Sequence, residues 1–180
     1  MEKKLSVVVS VYNEEQALPM FYETTKLILE ILPWDYELLF VNDGSRDDSL
    51  SILREYAARD EKVKFVSFSR NFGHEAAMIA GIDYADGDGI VCMDADLECL
   101  PEIVRKFEEG CGVISMVRTK NKSAGLIKNI TSAGFYRVIN ALSDVKFEPN
   151  ASDFFAISKE AAEVLRKNYR EKVRFLRGYV

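Results

Sequence analysis

Hydrophobic positions along the first two thirds of the chain follow two alternating periods. Short apolar runs rich in β-branched residues read as strands: LSVVVSV (5–11), YELLFVN (36–42), VKFVSFS (63–69), GIVCM (89–93) and GVISMV (112–117). Between them, apolar residues spaced three and four apart predict helices over about 16–31, 47–59, 74–85 and 101–109, with Asn13, Ser45 and Asp47 available as caps. Near-continuous apolar strands alternating with helices imply an α/β fold, Rossmann-like, with a mostly parallel sheet flanked by helices on both faces. After Val117 the alternation stops. Residues 122–144 read as helical, with Ile127, Ile130, Phe135, Val138, Ile139 and Leu142 forming an apolar face. SDFFAIS (152–158) then adds a strand and KEAAEVLRKNY (159–169) a helix. No repeat, linker or low-complexity tract interrupts the pattern, so residues 1–180 read as a single domain.

Composition narrows the class. A chain of 180 residues that is 48% hydrophobic can bury one good core. It contains no run of about 18 apolar residues, so no membrane span is expected. The start, MEKKLSVVVSVYNEE, leads from a short apolar run into Asn and Glu and reads as a first strand rather than a signal peptide. Cys92, Cys99 and Cys111 form no CxxC pair, which suggests reduced packing thiols in the cytosol. The net charge of −5 conceals an asymmetry. Residues 1–117 hold 11 Lys and Arg against 23 Asp and Glu, whereas residues 118–180 hold 13 against 6. The basic stretches, 118–137 and 166–177, are either a solvated face or a surface for an anionic partner such as a phosphate or an acidic membrane. No nucleic-acid partner is expected.

In parallel sheets ligands collect at the carboxyl ends of strands. Polar residues gather there three times: Tyr12-Asn13-Glu14, Asp43-Gly44-Ser45, and Asp94 to Asp96. In an extended segment Asp94, Asp96 and Glu98 would share one face, and three carboxylates so placed repel unless a cation sits among them. No GxGxxG follows the first strand and no GxxxxGK[ST] occurs, which disfavours dinucleotide and P-loop enzymes. A carboxylate cluster fits another solution, in which Mg²⁺ or Mn²⁺ is bound by oxygen ligands and holds the phosphates. The same ion would stabilise a diphosphate as it leaves. Each residue also has a plainer reading. Asp43 before Gly44 is a common turn dipeptide, and Asp153 can cap a following segment. His74, the one histidine, reads as packing at the start of the helix after Gly73 rather than as a base. Phe135, Tyr136, Phe154 and Phe155 read as core rather than lipid-binding.

The segments SVVVSVYNEE, LLFVNDGSRDDSL, SFSRNFGHEAAMIAGIDYADGDGIVCMDADLECLPEIV and RFLRG together resemble the family-two glycosyltransferases of the GT-A fold. Within that family they look most like the polyprenyl-phosphate (dolichyl- or undecaprenyl-phosphate) hexosyltransferases. The resemblance implies a metal-dependent, inverting transfer of a hexose from a UDP- or GDP-linked sugar to a polyprenyl phosphate. By it, residues 1–117 form the nucleotide-sugar half and 118–180 the acceptor half. Tyr12, Glu14 and Asp43 would hold the nucleoside, while Asp94 and Asp96, with Glu98, would hold Mg²⁺ or Mn²⁺ and the diphosphate. Glu98 stands where many relatives have Gln, adding a charge that either tightens the metal site or pairs with Arg105. Arg118, Lys128 and Ser132 match acceptor-phosphate positions; Lys128 stands where many have Arg, which keeps the charge but not the bidentate geometry. Arg174 and Arg177 would belong to a segment over the diphosphate, and Asp153 to the acceptor side. Asp96, Asp153 and Arg118 are the expected catalytic residues.

The resemblance further implies a cytoplasmic protein at the inner face of the cell membrane, in peripheral contact with it. Relatives of this subgroup often continue past the RG motif into an amphipathic region and membrane helices, so the chain reads as either a catalytic fragment truncated before such a region or a peripheral protein. Oligomeric state is left open. Two other readings compete. A saccharide hydroxyl as acceptor would require a base, for which Asp153 is the candidate. A non-catalytic nucleotide-sugar-binding domain would bind without turnover. A nucleotidylyltransferase is disfavoured, because VSVYNEEQAL lacks the Gly-rich basic loop such enzymes carry.

Overall fold

The computed structural model describes residues 3–93, 99–117 and 151–168. The five strands expected in the first 117 residues are present: β1 (Lys4–Val11), β2 (Asp35–Asn42), β3 (Val63–Ser67), β4 (Gly89–Met93) and β5 (Val113–Val117). Helices α1 (Leu18–Leu29), α2 (Ser49–Arg59), α3 (His74–Tyr84) and α4 (Leu100–Glu108) run between them. SDFFAIS does form a strand, β6 (Ala151–Ser158), and α5 (Lys159–Asn168) follows at once. The helix expected over 122–144 lies outside the described residues.

Six strands form one sheet in the order β3-β2-β1-β4-β6-β5. β3, β2, β1 and β4 pair in parallel, and β6 runs antiparallel between β4 and β5. Burial explains why β6 takes the inner place. Phe154, Phe155, Ala156 and Ile157 are all buried, as a strand covered on both faces requires, whereas Val113 of β5 is 46% exposed and suits an edge.

Alternation within the strands divides the core in two. Leu5, Val7, Val9 and Val11 of β1, with Leu38 and Phe40 of β2 and Met93 of β4, pack against α1, α2 and α4. Val8, Leu39, Val41, Ile90 and Cys92 face α3 and α5 on the other side. Helices thus cover both faces. Burial pushes the Cys92 thiol far above its ordinary pKa, as expected of a packing cysteine. On the second face Arg166 of α5 donates to the carbonyls of Ile82 and Ala85 and so ties α5 to the end of α3.

Near the amino ends of the strands a buried carboxylate organises a charged cluster. Glu37 is 1% exposed. The Ser6 hydroxyl and the Asp86 N–H donate to its Oε1, and Lys64 and Lys4 place their Nζ atoms 2.7 and 3.1 Å from Oε2. Burial alone would raise its pKa, but Lys64, Ser6, the Asp86 N–H and Lys4 outweigh that and hold it below the usual range. A carboxyl lowered in the folded state stabilises fully above the unfolded value of about 4.3, and that stabilisation is lost as pH falls through the folded value. The resistance of the wild type to urea unfolding should therefore fall on acidification from about pH 5 to about pH 3. Glu37→Gln should cost about 1–2 kcal/mol at neutral pH and flatten that slope, given that both lysines are partly solvated.

Candidate functional site

The loops that leave β1, β2 and β3 meet at one rim, and hydrogen bonds lace them together. The Asn13 N–H donates to Ser45 Oγ (3.0 Å), and Asn13 Oδ1 accepts from the Arg46 N–H (2.8 Å). The Glu14 N–H donates to Ser49 Oγ (2.9 Å). Asp47 Oδ2 accepts from the Glu15 N–H (3.0 Å), and Glu15 Oε2 accepts from the Asp48 N–H (2.9 Å). The three residues expected as helix caps are used here instead. The residues preceding the first turns of α1 and α2 are Ala17 and Asp48, neither with a side-chain capping bond. Asn13 takes a left-handed backbone (φ 56°), which asparagine tolerates, and spends its side chain on the neighbouring loop. Burial tends to raise the Asp47 pKa, but hydrogen bonds from Ser49 and from the Glu15 N–H prevail and keep it below the ordinary range.

Asp43 ties the third loop in. It is 2% exposed, and its two oxygens accept from the N–H groups of Phe72 (2.7 Å) and Gly73 (2.9 Å), just before α3 begins. Its own N–H donates to the Val11 carbonyl (2.8 Å), so one residue joins the ends of β1 and β2 to the β3–α3 loop. The next residue, Gly44, lets the loops approach this closely. It has φ +67°, and a Cβ there would lie 2.3 Å from the carbonyl carbon of Arg70 and 2.6 Å from the Asn71 nitrogen. Both neighbours are backbone and cannot swing away. Gly44→Ala should therefore destabilise the fold by about 2–4 kcal/mol, left-handed strain and overpacking together, as a lowered melting temperature by circular dichroism would report.

Beneath the laced loops lies a cleft of about 550 Å³, within the size range of small-ligand sites. Tyr12 and Glu14 from the first loop, Asp43 from the second, and Asn71, Gly73 and His74 from the third line it, above Val9 and Val11. Tyr12 is 42% exposed, so its ring face is open to a planar partner. Glu14 is exposed as well.

Of the expected site residues, the structure brings Tyr12, Glu14 and Asp43 together. Asp94, Asp96 and Glu98 lie outside the described residues. Met93, the last residue of β4, is the register partner of Val9, which lines the cleft, and the three carboxylates follow it in the sequence. That donor set is all oxygen and suits Mg²⁺ or Mn²⁺. Among the described residues no three His, Cys, Asp or Glu side chains are grouped to hold a metal ion. Arg105, weighed as a partner for Glu98, is held by Glu102 and Glu109 of its own helical segment. For Asp153 only the backbone is described, as the third residue of β6. Arg118, Lys128, Ser132, Arg174 and Arg177 lie outside the described residues, as do Phe135 and Tyr136; Phe154 and Phe155 are core. Among the described residues no helix is long and apolar enough to cross a membrane.

Sequence reasoning missed the third wall of the cleft. Asn71 and Gly73 gave no periodic signal, although a glycine directly before a helix, here with φ 97°, is a mark of special backbone geometry. His74 is the first residue of α3, at the helix start after Gly73 as expected, and it also lines the cleft.

Comparison with known proteins agrees with this geometry. The model of the family described as glycosyl transferase family 2 matches residues 6–166. An uncharacterized glycosyltransferase of Bacillus subtilis, YkcC, is 42% identical over 179 residues, covering 97% of this chain and 55% of that protein. The bactoprenol glucosyl transferase of Shigella phage SfV is 38% identical over 179 residues, covering 97% of this chain and 58% of that protein. Among solved structures, the mannosyltransferase PcManGT from Pyrobaculum calidifontis, in complex with GDP-Man and Mn²⁺, superimposes with a TM-score of 0.58 at 20% identity. That match covers 92% of this chain and 47% of that one, and it bears out the GT-A type of fold. The chain spans somewhat more than half the length of the curated relatives it matches.

Proposed function

The chain belongs to glycosyl transferase family 2, and from that premise we propose that it moves a hexose from a nucleoside-diphosphate sugar to a polyprenyl phosphate. The observation that carries the proposal is the cleft at the carboxyl ends of β1 and β2, lined by both an exposed Tyr12 and a buried, hydrogen-bonded Asp43. The relative named for bactoprenol glucosyl transfer, similar over nearly the whole of this chain, supports a lipid-linked acceptor.

In this reading Tyr12 stacks on the base, while Asp43 and Glu14 hold the nucleoside. Asp94 and Asp96, with Glu98, would hold Mg²⁺ or Mn²⁺, which when bound neutralises charge on the diphosphate. PcManGT, of the same fold and in complex with GDP-Man and Mn²⁺, supports a divalent ion beside the nucleotide sugar. An oxygen of the acceptor phosphate bonds to the anomeric carbon while the bond from that carbon to the diphosphate breaks. The nucleoside diphosphate leaves with the electron pair, and the anomeric configuration inverts. A phosphate monoester with a second pKa near about 6 is largely dianionic at neutral pH, so no base has to remove a proton. His74 is therefore free of that duty. Arg118, Lys128 and Ser132 would hold the acceptor phosphate, Asp153 would stand on the acceptor side, and Arg174 and Arg177 would cover the diphosphate. Such an acceptor would bring the chain to the cytoplasmic face of the membrane.

The test is transfer of label from UDP- and GDP-hexoses, with Mn²⁺ or Mg²⁺, to undecaprenyl phosphate or to saccharides. A labelled product that partitions into organic solvent is expected. Label found only in a saccharide would transfer the role of base to Asp153, and nucleotide binding with no turnover would make the chain a binding domain.

A further inference from the structure

A second hollow, of about 390 Å³, shares Tyr12 and Asn71 with the cleft. Arg46 from the loop after β2 and Arg70 from the loop after β3 line it, with Ser45 and Ser69, and no acidic residue does. That lining runs against the charge of the surroundings, since residues 1–117 carry 23 acids against 11 bases. Among the described residues neither guanidinium has an ion-pair partner.

Both arginines hang from fixed supports. The Arg46 N–H is held by Asn13, and the backbone at Arg70 packs directly onto Gly44. The Arg70 guanidinium sits 4.8 Å from the centre of the Phe72 ring, which packs edge-on against Phe68 at 5.5 Å. Two cations lining one hollow repel, and an anion between them turns that repulsion into attraction. Guanidinium forks and serine hydroxyls match the tetrahedral oxygens of a phosphate better than the single edge of a carboxylate.

We propose that this hollow binds a phosphate group, separate from the diphosphate of the sugar donor. Its source is either free phosphate or the headgroup of an anionic lipid, and the test distinguishes them. The 180-residue chain and its Arg46→Gln/Arg70→Gln double variant are titrated with inorganic phosphate by calorimetry, with and without saturating UDP or GDP. Both are also floated with vesicles of phosphatidylglycerol or of phosphatidylcholine alone. The expected result is binding of phosphate, or of phosphatidylglycerol vesicles selectively, that survives saturating nucleotide and falls about tenfold or more in the double variant. Phosphate binding assigns a free anion; vesicle binding without it assigns a headgroup. The proposal is overturned if neither arm binds, if the double variant binds as well as wild type, or if saturating nucleotide abolishes the binding. Failure here leaves the donor cleft untouched, because nucleotide affinity is read separately in the same titrations.

Discussion

Asp43→Ala should lower the affinity for nucleoside diphosphate by about 10- to 100-fold and destabilise the fold by about 2–4 kcal/mol. Both effects have one origin. The Asp43 carboxylate is buried and accepts the Phe72 and Gly73 N–H groups. Truncation leaves two donors without a partner in a place where water replaces them poorly, and each such loss is worth about 1–3 kcal/mol. It also releases the β3–α3 loop, whose Asn71, Gly73 and His74 form one wall of the cleft. Asp43→Asn separates the two roles. Its amide keeps one acceptor oxygen and the shape, so it should recover part of the stability, by denaturant unfolding, while nucleotide affinity by calorimetry stays low. If Asn restores nucleotide affinity completely, Asp43 acts on the loop alone.

The second large effect is expected at Asp96. Asp96→Asn should reduce transfer by roughly a hundred- to a thousandfold, because it would weaken oxygen ligation of the cation proposed to neutralise the departing diphosphate. In the proposed reading, base recognition by Tyr12 and Asp43 does not involve that ion. Affinity for the nucleoside alone should therefore hold while the Mn²⁺-dependent gain in nucleoside-diphosphate affinity disappears. Undiminished transfer by this variant would remove the metal from the account.

Much of the fold was legible because it is periodic. The β-branched runs at 5–11 and 36–42 and the helical spacings between strands encode local geometry, and the observed elements lie within a few residues of them. Asp43 was legible through position, since it follows a buried strand. What escaped has no period. The bonds from Asn13 to Ser45 and Arg46, and from Asp43 to Phe72 and Gly73, join backbone about thirty residues away in sequence, and nothing local announces them. Asn13, Ser45 and Asp47 favour caps and inter-loop contacts for the same reason, a short side chain that bonds nearby backbone. The antiparallel entry of β6 between β4 and β5 was likewise hidden, because it depends on which of two late strands is apolar on both faces. The hollow with Arg46 and Arg70 is assembled from two loops and is invisible in either one.

The most direct measurement is a crystal structure of the chain grown with Mn²⁺ and a UDP- or GDP-hexose. The account predicts the base against the Tyr12 ring and within hydrogen-bond reach of Asp43, with the ion between the diphosphate and the carboxylates after β4. A nucleotide sugar bound elsewhere, or a cleft left vacant at saturating ligand, would contradict it.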